Sequence, residues 1–187
     1  LLVDKRYHGL VQAGARSDTE KTFVADCAAQ ANWLVKSLDQ RAKTILKVSS
    51  EIVRQQDAFL AFGVEFLRPL NLKTVADAIG MHESTVSRVT SNKYIATPRG
   101  VFELKFFFTA AIQSVDGAST HSAEAVRHKI KSMIDGEGVE GDVLSDDRIV
   151  EILKETGIDI ARRTVAKYRE ALRIPSSVER RRMMKTG

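Results

Sequence analysis

The sequence predicts an all-α protein: an extra-long helix leading into a helix-turn-helix domain, then a small, separate three-helix domain carrying a second helix-turn-helix. Two observations predict it. From Ser17 to Phe62 there is neither Gly nor Pro, and Phe23, Cys27, Ala31, Leu34, Leu38, Ala42, Ile45, Ser49, Ile52, Gln56 and Phe59 recur at steps of three and four. Further on, residues 70–93 and 145–172 each read as a helix, a short turn with Gly, and a second helix.

Taken in order, Leu1 to Arg16 is a short segment, apolar at Leu1, Leu2, Val3, Leu10 and Val11, that reads as the close of a preceding domain. The periodic stretch that follows is most simply one helix, a rod roughly 60 Å long at 1.5 Å per residue. Two antiparallel helices broken near Asp39-Gln40 are the alternative. On this element Cys27 is expected as a small core residue. Trp33, the only Trp, has two readings: core packing, or stacking on an unpaired base near Arg41.

The first helix-turn-helix is read in Thr74 to Gly80, a turn at Met81-His82-Glu83, and a second helix from Ser84. Ala76 lets the helices approach, Gly80 takes a left-handed turn, Val86 packs beneath, and His82 caps or meets a phosphate. The exposed second-helix residues are Glu83, Ser84, Thr85, Ser87 and Arg88. Arg reads a guanine edge bidentately and Glu accepts from a cytosine amino group, so this surface suits a G·C step. Phe102, Phe106, Phe107 and Phe108 read as core.

A polar hinge is expected over Asp116–Ser122, with the domain boundary near residue 118, giving spans of 1–16, 17–117 and 118–187. A short helix over Ala123–Ile134 follows, then an acidic, Gly-rich stretch over Asp135–Asp142. Ser145-Asp146-Asp147 supplies an N-cap and an acidic first turn, Ile149, Ile152 and Leu153 an apolar stripe, and Gly157 a helix end. The next helix, Ala161-Arg162-Arg163-Thr164-Val165-Ala166-Lys167-Tyr168-Arg169-Glu170, sets Val165, Tyr168 and Leu172 along one stripe and spreads its four cations over the rest. The tail from Pro175 to Arg180-Arg181-Arg182 is expected to fray in the absence of DNA.

Composition bounds the function. The chain has 187 residues and a net charge of +5, with a sequence pI near 9.4, which favours a polyanionic partner. From residue 158 onward nine cations face three anions, so the remainder is close to neutral. One Cys excludes an internal disulfide and fits a reducing cytoplasm. No apolar run reaches the roughly 18 residues that span a membrane. Histidines 8, 82, 121 and 128 lack metal-ligand spacing, and there is neither a Gly-rich phosphate loop nor a Ser, His and acid arrangement. No metal, cofactor or catalysis is therefore expected.

The ten residues Ala161 to Glu170 resemble, at every position, the RpoN box of the sigma-54 (RpoN) class of bacterial RNA polymerase sigma factors. Met81 to Thr90, Tyr94 and Thr97 to Phe108 are also similar to that family, so the resemblance spans most of the chain. It implies the continuous form of the long helix, since the family has an extra-long helix before its first helix-turn-helix. It also implies that residues 1–16 end a core-binding domain. The RpoN box would read a GG-containing minus-24 element and the other motif a GC-containing minus-12 element. Arg162 and Arg163 are then expected as guanine readers and Lys167, Tyr168 and Arg169 as phosphate or flanking contacts, with Thr164 also at the upstream element, and Glu83 with Arg88 as readers downstream, where Ser84, Thr85 and Ser87 also bind DNA. Trp33 and Arg41 would lie near where melting begins.

The partners implied are double-stranded promoter DNA, core RNA polymerase and an ATP-dependent enhancer-binding activator that opens the closed complex, in a cytoplasmic, nucleoid-associated protein. The chain departs from the family pattern in lacking its Gln- and Leu-rich activator-contacting region. It starts without Met, with most of the core-binding domain expected before Leu1, and reads as a C-terminal fragment. Two rival readings are a stand-alone tandem helix-turn-helix regulator, which would bind a bipartite site without polymerase, and a structural module, which would bind DNA weakly and without sequence preference.

Overall fold

The computed structural model describes residues 2–114, 120–137 and 143–186. The residue chosen for the domain boundary, most of the expected hinge and most of the acidic Gly-rich stretch lie outside the described residues. The chain divides into two compact units, Leu1–Lys47 and Val48–Gly187.

In the first unit, α1 (Lys5–Gly14) is capped by the Asp4 carboxylate, which accepts from the Arg6 and Tyr7 N–H groups at 2.9 and 3.1 Å. The next helix, α2 (Asp18–Gln55), opens with a reciprocal capping box: the Glu20 N–H donates to Ser17 Oγ, and Glu20 Oε2 accepts from the Ser17 and Arg16 N–H groups. Those backbone donors, Ser17 first, hold the Glu20 carboxyl below its ordinary value. Running 38 residues without a break at Asp39-Gln40, α2 is about 57 Å long. The continuous form is the observed one.

Two expectations on α2 are corrected. Trp33 is 70% exposed, and the stripe residues Phe23, Leu34 and Leu38 are exposed as well, at 69%, 49% and 40%. Cys27 lies on that stripe yet is exposed. In this unit the stripe meets only α1, and Val3, Tyr7, Val11, Phe23 and Cys27 line an open apolar groove of about 400 Å³. The buried residues of α2 are Val48 and Ile52, in its last turns.

The second unit holds two apolar cores. The first gathers Val48, Ile52, Phe59, Leu67, Leu70, Val75, Ala76, Ile79, Val86, Leu104 and Phe107, from the end of α2, α3 (Asp57–Phe62), α4 (Leu72–Ile79), α5 (Glu83–Thr90) and the connecting turns. Phe59 packs edge-on against Phe102 and Phe107, with centroids 5.2 and 5.4 Å away. Gln56 is fully buried where α2 ends. Its amide donates to the Arg68 carbonyl at 2.8 Å and to the Phe107 carbonyl at 3.4 Å, and accepts from the Arg68 N–H at 3.0 Å.

After α5 the chain forms a hairpin that the helical reading did not anticipate: β1 (Tyr94–Thr97) and β2 (Gly100–Glu103), antiparallel, with Ile95 opposite Phe102. Arg99 at its tip donates to the carbonyls of Leu60 and Ala61. A second short pair, β3 (Ala111–Gln113) and β4 (Thr120–Ser122), leads toward the second core.

The second core collects Val126, Ile130, Ile134, Ile149, Leu153, Ile158, Ile160 and Val165. They come from α6 (Ala123–Asp135), α7 (Asp146–Glu155), α8 (Arg162–Ala171) and the turn between α7 and α8. The tail expected to fray is instead α9 (Ser177–Thr186). Its anchor is Arg180, whose Nε and Nη2 meet the two oxygens of Glu137 at 2.8 Å each while Nη2 also donates to the Leu144 carbonyl at 2.8 Å. Both side chains of this pair are buried.

Candidate nucleic-acid interface

Both helix-turn-helix units are built by the same local device. α4 is capped by Asn71, whose Oδ1 accepts from the Thr74 N–H at 2.7 Å, and it ends at Gly80 with φ +65°. The Met81 N–H returns to the Ala76 carbonyl at 2.9 Å. α7 is capped by Ser145, which accepts from the Arg148 N–H at 3.1 Å. It ends before Gly157, φ +85°, with the Ile158 N–H on the Leu153 carbonyl at 2.9 Å. These are Schellman endings, whose left-handed residue suits Gly because a Cβ there is strained. Each turns the chain sharply enough for a second helix to cross the first.

On α5, His82 caps the first turn through Nδ1, 3.2 Å from the Ser84 N. Glu83, Ser84, Ser87 and Arg88 are exposed and Thr85 is half-buried, while Val86 is fully buried against the core. Arg88 folds along its own helix, donating from Nε to the Ser84 carbonyl at 3.0 Å and from Nη2 to Ser84 Oγ at 3.2 Å. The candidate downstream residues therefore share one short helix surface.

On α8, Arg162, Arg163 and Lys167 are exposed and Thr164 and Tyr168 half-buried. Among the described residues Arg163 and Lys167 have no ion-pair partner, while Arg162 Nε lies 3.2 Å from Asp147 Oδ1. The ring of Tyr168 packs on the second core, with the Arg127 guanidinium of α6 above it, 4.8 Å from the centroid.

Arg169 departs from the expected phosphate contact. Its side chain is 8% exposed and that of its partner Asp146 16%. Nε and Nη2 meet Asp146 Oδ1 and Oδ2 at 2.9 and 3.2 Å, and Nη1 donates to the Ile174 carbonyl at 2.9 Å. The Asp146 bond raises the guanidinium pKa further above its ordinary value. Four residues beyond Val165, Arg169 sits on the inward face of α8. It ties α7 to α8 where it cannot meet a duplex without breaking that pair.

Trp33 and Arg41 are both exposed on α2. The sequence reasoning missed Arg127, the Asp146–Arg169 pair and the Glu137–Arg180 pair; no local pattern marks them. Among the described residues there is no group of three or more His, Cys, Asp or Glu able to hold a metal ion, and no helix is long and apolar enough to cross a membrane.

The chain is similar to known proteins. Residues 21–182 match the family model described as Sigma-54, DNA binding domain. The chain is 82% identical over 185 residues to the RNA polymerase sigma-54 factor of Caulobacter vibrioides, covering 99% of this chain and 37% of that protein. It is 69% identical over 182 residues to the corresponding factor of Azorhizobium caulinodans, covering 97% and 35%. It is also similar to a solved structure, Aquifex aeolicus sigmaN bound to promoter DNA, at 37% identity and a TM-score of 0.56, covering 96% of this chain and 53% of that one. The chain spans little more than a third of the length of the curated relatives it matches.

Proposed function

The chain belongs to the sigma-54 family through its DNA-binding domain, and from that premise we propose that it carries the promoter-recognising surfaces of a sigma-54 factor. In this reading α8 reads a GG-containing upstream element and α5 a GC-containing downstream element, the minus-24 and minus-12 elements of such promoters. The carrying observation is the exposure of Arg162, Arg163 and Lys167 in the first turns of α8, the second helix of a helix-turn-helix. That is the position from which such a helix meets base edges in the major groove.

The residue roles follow from exposure. Arg162 and Arg163 read guanine, Lys167 meets phosphate, and Thr164 and Tyr168 contact the flanks. Glu83, Ser84, Thr85, Ser87 and Arg88 read the downstream element, and Arg88 exchanges its intrahelical bonds to Ser84 for a base edge. Trp33 and Arg41 contact bases that unpair as melting begins. The full-length factor would direct core RNA polymerase to these promoters and hold a closed complex until an ATP-dependent activator remodels it.

Fluorescence anisotropy of the chain on a labelled duplex carrying GG and GC one helical turn apart, compared with duplexes in which either step is replaced, tests the reading at two salt concentrations. Affinity that falls on replacing GG and keeps that ratio at the higher salt is the expected result. Equal affinity for all duplexes, collapsing with salt, would leave only non-specific electrostatic binding.

A further inference from the structure

Two adjacent aspartates in the first turn of α7 grip α8 in different ways. Asp146 meets Arg169 bidentately in a pair that is nearly buried. Asp147 reaches Arg162, the first residue of α8, in a pair where both side chains are about two-thirds exposed, 67% and 64%. The Ser145 cap fixes the backbone of that turn, so neighbouring carboxylates are directed to opposite ends of the same helix.

The atoms involved in the outer pair matter. Asp147 Oδ1 lies 3.2 Å from Arg162 Nε as an ion pair, and among the described residues neither Nη group of Arg162 makes a hydrogen bond. A guanidinium with its counter-ion on the Nε side presents its two Nη groups together at its far end. That is one way to satisfy O6 and N7 of a guanine, and it stops the side chain from swinging toward the backbone phosphates. Arg163, next along the helix, has no such carboxylate among the described residues.

We propose that Asp147 is a positioning residue for upstream-element recognition: it buttresses Arg162 by an ion pair on its Nε side and makes it a guanine reader instead of a phosphate contact. The proposal rests on the promoter-recognition reading above and adds a residue that touches no DNA. The Asp147 carboxylate itself repels phosphate. Its net effect is therefore to lower affinity for any duplex while raising the ratio between the right and wrong ones.

The test uses the whole chain and four variants, Asp147→Asn, Arg162→Ala, the Asp147→Asn/Arg162→Ala double variant and Glu155→Gln, on the GG duplex and its GG-replaced counterpart. Glu155→Gln removes the same charge from an exposed site on α7. Asp147→Asn is expected to reduce the affinity ratio about fivefold, with non-specific affinity unchanged or raised. Glu155→Gln leaves the ratio unchanged. In the Arg162→Ala background Asp147→Asn has no further effect on the ratio, and the melting temperature of Asp147→Asn stays close to that of the parent, since the pair is exposed.

A parent that discriminates and an Asp147→Asn variant that discriminates equally well overturn the buttress alone. The same follows if Asp147→Asn lowers the ratio equally in the presence and absence of Arg162. A parent with no GG preference overturns the promoter reading and the buttress with it.

Discussion

Replacing Arg169 separates a structural guanidinium from a DNA-contacting one. In the folded chain it makes two bonds to Asp146 and one to the Ile174 carbonyl, at 2.9 to 3.2 Å, with 8% of its side chain exposed. The backbone adds a reverse tie, the Ile174 N–H on the Arg169 carbonyl at 3.1 Å. Arg169→Ala leaves a mostly buried carboxylate without its cation and a carbonyl without its donor, a loss of about 3 kcal/mol. Asp146 sits in the first turn of α7, where the helix dipole offsets part of that loss, so the low end of the usual range for broken buried pairs applies. For a chain of this size, a loss of about 3 kcal/mol corresponds to a fall in melting temperature of roughly 6 to 12 °C.

The assay is urea unfolding followed by far-ultraviolet circular dichroism, because the single Trp lies in the other unit and would not report on this core. Arg169→Met with Asp146→Leu, which removes both charges and keeps the volume, should recover most of the stability. DNA binding supplies the second readout. If Arg169 neutralised a phosphate, its removal would lower the slope of log affinity against log salt by about one, whereas at temperatures where Arg169→Ala remains folded no change in slope is expected. Unchanged stability together with a slope lower by about one would refute the structural role and restore the phosphate-binding one.

Four other residues offer equally direct tests. Arg163→Ala should lose about 1 to 3 kcal/mol on the GG duplex and little on its replacement; anisotropy titrations giving equal losses on both would remove Arg163 as a reader. Gln56→Ala should destabilise the first core by about 2 kcal/mol, since the buried Phe107 carbonyl and the part-buried backbone groups of Arg68 lose their partner, and a change in urea stability below about 0.5 kcal/mol would contradict that assignment. Trp33 emission should be strongly quenched by acrylamide in the free chain, as its exposure requires, and become protected on a duplex with unpaired bases at the downstream element but not on a fully paired one; identical quenching on both removes the stacking role. Arg173 holds φ +58° at the end of α8, so Arg173→Gly should stabilise the chain by about 1 kcal/mol, read as a rise in melting temperature.

The sequence by itself determined every feature whose physics is local. The period of three and four from Ser17 onward specified a helix. Ser145 specified a start, and Gly80 and Gly157 specified ends, because each acts through backbone groups within a few residues of itself. The ten contiguous residues Ala161 to Glu170 were enough to mark the family.

The tertiary structure decided what long side chains do. Arg162 and Arg169 are the same residue type seven positions apart on one helix; one is exposed beside Asp147 and the other buried against Asp146, 15 and 23 residues earlier in the chain. Arg180 is likewise fixed by Glu137, 43 residues away, which turns an expected frayed tail into a docked helix. The β1–β2 hairpin depends on Ile95 and Phe102 finding the first core and on Arg99 finding the Leu60 and Ala61 carbonyls. An arginine can hide as readily as it can reach outward when a carboxylate awaits it, and which occurs is set by a partner distant in the chain.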